Sequence, residues 1–281
     1  MTAPLTAAHN GGVDIAVEIV VGLLVGGVMG ALGGGGGIIA VPALVYLLGQ
    51  PPGVATTTSL VIVGITSVVA VLQHARGGRV AWADGIAFGV MGAAGALLGS
   101  RVGAVADPGL TMWLFAVLLV LVATVMWRRA SGQGRAGADP DAADRGRRWL
   151  SWRPLRVDLR RAFLVLVVAS ASGVLTGFFG VGGGFAIVPA LTVVLRLPMT
   201  LAVGTSLLVI LLNSATGIVG RLGTPLELDW ALIGIFTAAG VVGSFVGERV
   251  GRRLDSAVLQ RAFAVMLGLV ALYTVVNQIV D

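Results

Sequence analysis

The residues best suited to chemistry in this chain are glycines, hydroxyls and one amide. Gly33–Gly37 is an unbroken glycine run, and Gly180-Val181-Gly182-Gly183-Gly184 is its near copy. Thr56-Thr57-Thr58-Ser59 follows the first run, and Gly204-Thr205-Ser206 follows the second. Asn213 stands inside an apolar stretch. What these groups offer is hydrogen-bond donation without charge. Backbone N–H groups come from Gly35, Gly36, Gly37, Gly182, Gly183 and Gly184, and hydroxyls from Thr58, Ser59, Thr205 and Ser206. Unwound backbone ahead of a short helix exposes N–H groups and the positive end of the helix dipole, which suits an anion. A plain alternative stands beside this reading. Glycines let helices pack closely, and hydroxyls cap helix starts. An amide in a membrane span is costly without a partner, so Asn213 either bonds another helix or faces substrate. The glycine runs are not phosphate loops, because no Lys-Ser/Thr pair follows them.

The elements that must position these groups follow from composition. Of 281 residues, 57% are hydrophobic and 11% charged, against about 25% charged in a soluble domain. A water-soluble core cannot hide that much apolar surface. Soluble enzymes, disordered chains and disulfide scaffolds are excluded, and an all-α polytopic membrane protein remains. The apolar stretches are continuous rather than alternating, which argues against a β-barrel. They run over 15–33, 38–48, 54–73, 81–104 and 109–127, then 162–180, 185–195, 201–220, 230–248 and 258–279. A helix needs about 20 apolar residues to span a bilayer. The stretches 38–48 and 185–195 are too short, and each follows a glycine run. Broken backbone at membrane depth is tolerated where protein shields it or where it lines a cavity.

The chain repeats itself. Gly33, Pro42, Thr58, Ser59 and Ser67 recur at Gly180, Pro189, Thr205, Ser206 and Ser214, an offset of 147 throughout. Thr66 is then the counterpart of Asn213, and His74 of Arg221. After one inserted residue, Trp82 matches Trp230, and Gly95, Gly99 and Gly103 match Gly243, Gly247 and Gly251. The four-residue spacing puts each glycine ladder on one helix face, where close packing is its expected role. The chain divides into a tail (1–14), a first transmembrane repeat (15–127), an Arg-rich connector (128–161) and a second repeat (162–281). Each repeat holds about five segments: three full spans plus a Gly-broken helical hairpin.

Charge sets the orientation. The connector holds ten arginines and four acids, net +6, the net charge of the whole chain. The positive-inside rule places it in the cytoplasm of a plasma-membrane protein. The 74–81 loop, with Arg76 and Arg79, is then inside. So is the 249–258 loop, with Arg249, Arg252 and Arg253. The loop holding Glu227 and Asp229 is outside. Each repeat crosses an odd number of times, which makes the two repeats inverted. The same confinement of charge to one loop argues against nucleic acid as a partner. There is no cysteine and there are only two histidines, so neither a metal site nor a cofactor is expected. Of the acids, Glu18 is the one placed to reach protons from inside an apolar segment.

The pattern Gly-x-Gly-Gly-Gly-x-x-x-Val-Pro-x-Leu followed by Ala-x-x-Thr-Ser-Leu occurs at Gly33–Leu44 with Ala55–Leu60, and again at Gly180–Leu191 with Ala202–Leu207. This resembles the sulfite exporter TauE/SafE family, and the likeness covers nearly the whole chain outside the tail and connector. The resemblance implies a transporter of sulfite, organosulfonates or related small anions, not an enzyme. Its partners would be the anion and the bilayer, with a homo-oligomer an open option. Two alternatives stand: proton-coupled uptake of another organic anion, and a membrane subunit that docks a soluble partner through the connector.

Overall fold

The computed structural model describes residues 13–132, 159–180, 184–195, 197–222 and 228–280. The expected sites Gly182 and Gly183, the tail before Val13 and most of the connector lie outside them. Among the described residues the regular structure is all helix, with no strand. In the first repeat the helices are α1 (Val13–Leu32), α2 (Gly35–Pro42), α3 (Pro52–Arg76), α4 (Trp82–Val105) and α5 (Pro108–Gly132). In the second they are α6 (Leu159–Phe179), α7 (Gly184–Val193), α8 (Met199–Gly220), α9 (Trp230–Gly251) and α10 (Ser256–Val280). Seven of these helices, α1, α3–α5 and α8–α10, are long and apolar enough to cross a membrane. The chain is an all-α polytopic membrane protein.

The two short stretches are short for local reasons. Gly33 adopts φ +77° and Gly180 φ +66°, the left-handed conformation that ends α1 and α6. Each closes its helix with the same bond: Gly33 N donates to Met29 O at 2.9 Å, and Gly180 N to Thr176 O at 3.0 Å. Helix α2 then turns back against α1. Pro42 has no N–H to continue the ladder, and the chain widens into a π-helical turn over Ala43–Leu47. Gln50 N to Leu44 O and Leu197 N to Leu191 O finish the two short segments in the same way. Pro51 and Pro198 start α3 and α8.

Packing pairs each repeat with the other. Helix α1 lies on α9 and α4 on α6, and these are the two ladder interfaces. A methyl at Gly95, Gly99 or Gly103 would run into the backbone of Ser170, Val174 or Phe178, and one at Gly243, Gly247 or Gly251 into that of Leu23, Gly27 or Ala31. Both ladders therefore do the close packing their spacing suggests. Helix α5 lies against α10 through Phe115, Leu119, Phe263 and Leu267, all fully buried. The innermost pair is α3 and α8. Gly64 faces Ser214 and Gly217 faces Leu60, so these two equivalent helices run antiparallel. Contacts in register make α1, α3 and α9 parallel to one another, and α4, α6 and α8 parallel to one another in the opposite sense. Helix α3 therefore ends, and α8 begins, at the face of the bundle where α5 ends and α6 begins, the connector end.

Candidate functional site

Helices α3 and α8 are the most buried spans, and from Pro52 to Gln73 and from Met199 to Gly220 they carry no charged residue. Yet they are rich in polar groups. Thr58, Ser59, Thr66 and Ser67 of α3, and Asn213 and Ser214 of α8, are at most 1% exposed. Their side-chain polar atoms, including both amide atoms of Asn213, lack hydrogen-bond partners. An unsatisfied buried polar group costs about 1–3 kcal/mol. A run of six such residues along one helix pair is not what packing alone would select.

The glycine turns meet this pair crosswise. Gly33, from the first repeat, sits against Val203 and Ser206 of the second. Gly180, from the second, sits against Thr56 of the first. Each turn thus faces the hydroxyl cluster of the other repeat. The two meeting points are not adjacent. Ser59 lies fifteen residues before His74 along α3, about 22 Å at 1.5 Å per residue. The short helices α2 and α7 start at opposite ends of the α3/α8 pair. The expected residues fall into two shells with Asn213 between them, rather than one shell around a single point. Gly35, Gly36 and Gly37 open α2 and, with Ser206 and Thr205, belong to the connector end. Gly184 opens α7 and, with Ser59 and Thr58, belongs to the opposite end. Asn213 points at Gly92 of α4, and its counterpart Thr66 at Gly240 of α9.

Capping explains little of this. The N-caps of α3 and α8 are Pro51 and Pro198, without side-chain bonds. Thr56 and Thr57 donate instead to Gly53 O, both at 3.0 Å. Thr205 Oγ1 accepts from Ala81 N–H at 3.0 Å, tying α8 to the start of α4. Ser206 donates to Val203 O at 2.7 Å.

Each end is finished by charged or titratable groups to which sequence patterns alone give no site role. At the end opposite the connector, Arg221 follows α8 and is only 4% exposed. Its guanidinium donates to Thr56 Oγ1 and Thr57 Oγ1 at 2.7 Å, to Gly53 O at 3.2 Å and to Gly177 O at 3.3 Å. Burial pulls its pKa down to about 10, so it remains a cation at neutral pH. At the connector end stands its repeat counterpart, His74. It is buried, and its Nδ1–H donates to Ala70 O at 3.0 Å. Beside it Arg79 pairs with Glu248 of α9, which Arg252 also approaches at 3.5 Å. Gln73 donates to Ser244 at 3.1 Å across the same junction. Glu248 is 7% exposed and joins Glu18 among the buried acids, so Glu18 is not alone in that respect. Arg101, Arg249, Arg252 and Arg253 are exposed, as expected of interfacial arginines. The signal for Arg221 is its alignment with His74. Two unlike polar residues at one repeat position mark a position where polarity is kept while chemistry differs.

The comparisons with known proteins agree with this architecture. Residues 18–274 match the family described as Sulfite exporter TauE/SafE. A probable membrane transporter protein of Xylella fastidiosa (strain Temecula1) is 34% identical over 267 residues, covering 93% of this chain and 95% of that protein. The probable membrane transporter protein YunE of Bacillus subtilis is 26% identical, covering 90% of this chain and 93% of its own length. No solved structure matches significantly. With the repeated glycine motif matched over most of its length, this chain belongs to the sulfite exporter TauE/SafE family of membrane transporters.

Proposed function

We propose that this protein exports a small sulfur-containing anion, sulfite or an organosulfonate, across the plasma membrane and performs no chemical step of its own. The observation that carries the reading is the file of buried, unpartnered neutral donors on α3 and α8. In a transporter family, such groups are the ones a passing solute would satisfy. Gly35, Gly36, Gly37, Thr205 and Ser206 form the shell at the connector end. Thr58, Ser59 and Gly184 form the shell at the other. Asn213 hands the anion between them. The two repeats are inverted, the connector is cytoplasmic, and rocking of one repeat against the other opens the ends in turn. The antiparallel α3/α8 pair supports the inversion, because a rotation axis along the membrane normal would leave equivalent helices parallel. Export needs no coupling ion. Exit of an anion from a negative-inside cell is favoured by about 2.3 kcal/mol per charge per 100 mV.

The test is flux in proteoliposomes, with sulfite, sulfoacetate, taurine, sulfate and acetate offered in turn at a clamped potential. A saturable, potential-dependent flux of a sulfur oxyanion is expected, weakened about tenfold or more by Asn213→Leu or Thr205→Val. Folded protein that moves none of them overturns the cargo. Flux that Asn213→Leu leaves intact overturns the site.

A further inference from the structure

The π-turn that ends α2 leaves a gap on the bilayer side of the bundle. Between this turn and α10 lies an apolar groove with a cavity of about 790 Å³, within the range of sites that hold organic ligands. Ile39, Pro42 and Leu47 form one wall, and Ala262, Val265 and Leu269 the other. Among the described residues one cation lines it: Arg261, exposed, on the second turn of α10 and therefore toward the connector face. At the far end Tyr273 meets Tyr46 edge to face, ring centroids 5.7 Å apart, and limits the groove. From Arg261 to Tyr273 the groove follows α10 for about 18 Å at 1.5 Å per residue. That is close to one leaflet of a hydrocarbon core about 30 Å thick.

We propose that this groove is a binding site for an anionic phospholipid of the connector-side leaflet. One acyl chain lies along Val265 and Leu269, and the phosphate rests on Arg261. Three observations select this occupant. The lining is apolar along its length, which suits an alkyl chain and not a polar solute. Among the described residues the groove's one cation stands at the end near the interface, where a headgroup sits, and Arg253 of the preceding turn adds positive charge at that face beyond what Glu248 and Asp255 offset there. The residues that build the site also differ between the two halves. The repeat counterparts of Arg261 and Ala262 are Trp113 and Leu114, so the other half has neither the cation nor the small residue at these positions. A general lipid-facing surface would need neither difference. The inference is independent of which solute the protein moves.

The experiment is native mass spectrometry of the full chain reconstituted with equal amounts of phosphatidylglycerol and phosphatidylcholine. Wild-type protein should retain about one phosphatidylglycerol per chain, at least tenfold over phosphatidylcholine. Arg261→Gln should abolish that preference, and Arg261→Lys should keep most of it. Ala262→Phe, which fills the groove with a bulky ring, should lower retention of both lipids. Equal retention of the two lipids by wild type overturns the proposal, as does retention that Ala262→Phe leaves unchanged. Because the chain has no cysteine, Val265→Cys adds an independent arm. Efficient disulfide capture between two copies in bilayers would make the groove a subunit interface, which also overturns the lipid.

Discussion

The two ends of the α3/α8 pair are built from equivalent residues and closed by different chemistry. Away from the connector, a buried cation ties the halves together: Arg221 donates to Thr56, Thr57 and two carbonyls. Toward the connector, the equivalent position is His74, bonded within its own helix, and the cross-repeat tie is the Arg79–Glu248 ion pair. The scaffold keeps its pseudo-symmetry down to single helix-ending bonds, while the closures do not. Geometry is shared between the halves, while the end groups diverge: a bridging guanidinium at one end, a histidine beside an ion pair at the other.

The scaffold should therefore show no difference between halves. Gly99→Leu and Gly247→Leu each drive a side chain into the backbone of the partner helix, at Val174 and Gly27. Each should cost about 4 kcal/mol or more, read as loss of folded protein on extraction. Gly234→Ala, where a methyl meets open space, should stay within about 0.5 kcal/mol. A large gap between the two ladder variants would break the premise that the halves share one frame.

The closures should differ in size. Arg221→Leu removes a charged donor from four oxygens, at least two of which have little access to water. Hydrogen bonds to a charged group are worth about 1.5–3 kcal/mol, and a total loss of about 3 kcal/mol is expected in thermal unfolding. Glu248→Gln should cost about 1 kcal/mol, because Arg79 is 20% exposed and Arg252 59% and water screens both. Arg79→Gln combined with Glu248→Gln should be less than additive. If Glu248→Gln proved the costlier variant, the connector end would be the firmer closure and the comparison would reverse.

Access should follow the same division. The native chain is free of cysteine, so Ser59→Cys and Ser206→Cys each introduce a single thiol. A membrane-impermeant thiol reagent should reach Ser206→Cys from the connector side only, and Ser59→Cys from the opposite side only. Arg221→Leu should speed labelling at Ser59→Cys several-fold and leave Ser206→Cys unchanged. Labelling of both from one side would sink the two-ended arrangement.

Much of this architecture is legible in the order of the residues. The offset of 147 exposes the repeat, and the brevity of 38–48 and 185–195 exposes the broken helices. The ladders declare their role because spacing of four residues has one geometric meaning on a helix. Partnership across the repeats is not legible in the same way. Gly33 lies near Thr57 in sequence but packs on Ser206, since burial is decided by helices that meet only after the whole chain folds. Arg221 and Glu248 stay hidden for a related reason. A charge near the end of a span reads as interfacial, and only the placement of the facing helix decides whether water reaches it.

The smallest expected effect separates binding from packing most cleanly. Thr58 and Thr205 occupy one repeat position and are both fully buried. Thr205 Oγ1 accepts a hydrogen bond from Ala81 N–H, whereas Thr58 Oγ1 has no partner. Valine matches threonine in shape and lacks the hydroxyl. Thr205→Val strands a backbone N–H and should cost about 1 kcal/mol. Thr58→Val removes a polar atom that was unsatisfied already, so stability should hold or rise by up to about 1 kcal/mol. Transport should fall for both, because the solute loses a donor in either shell. A Thr58→Val protein that is no less stable yet slower identifies a hydroxyl kept for the solute at the expense of packing. A Thr58→Val protein with unchanged flux would leave that hydroxyl without a role and confine the solute to the connector end and Asn213.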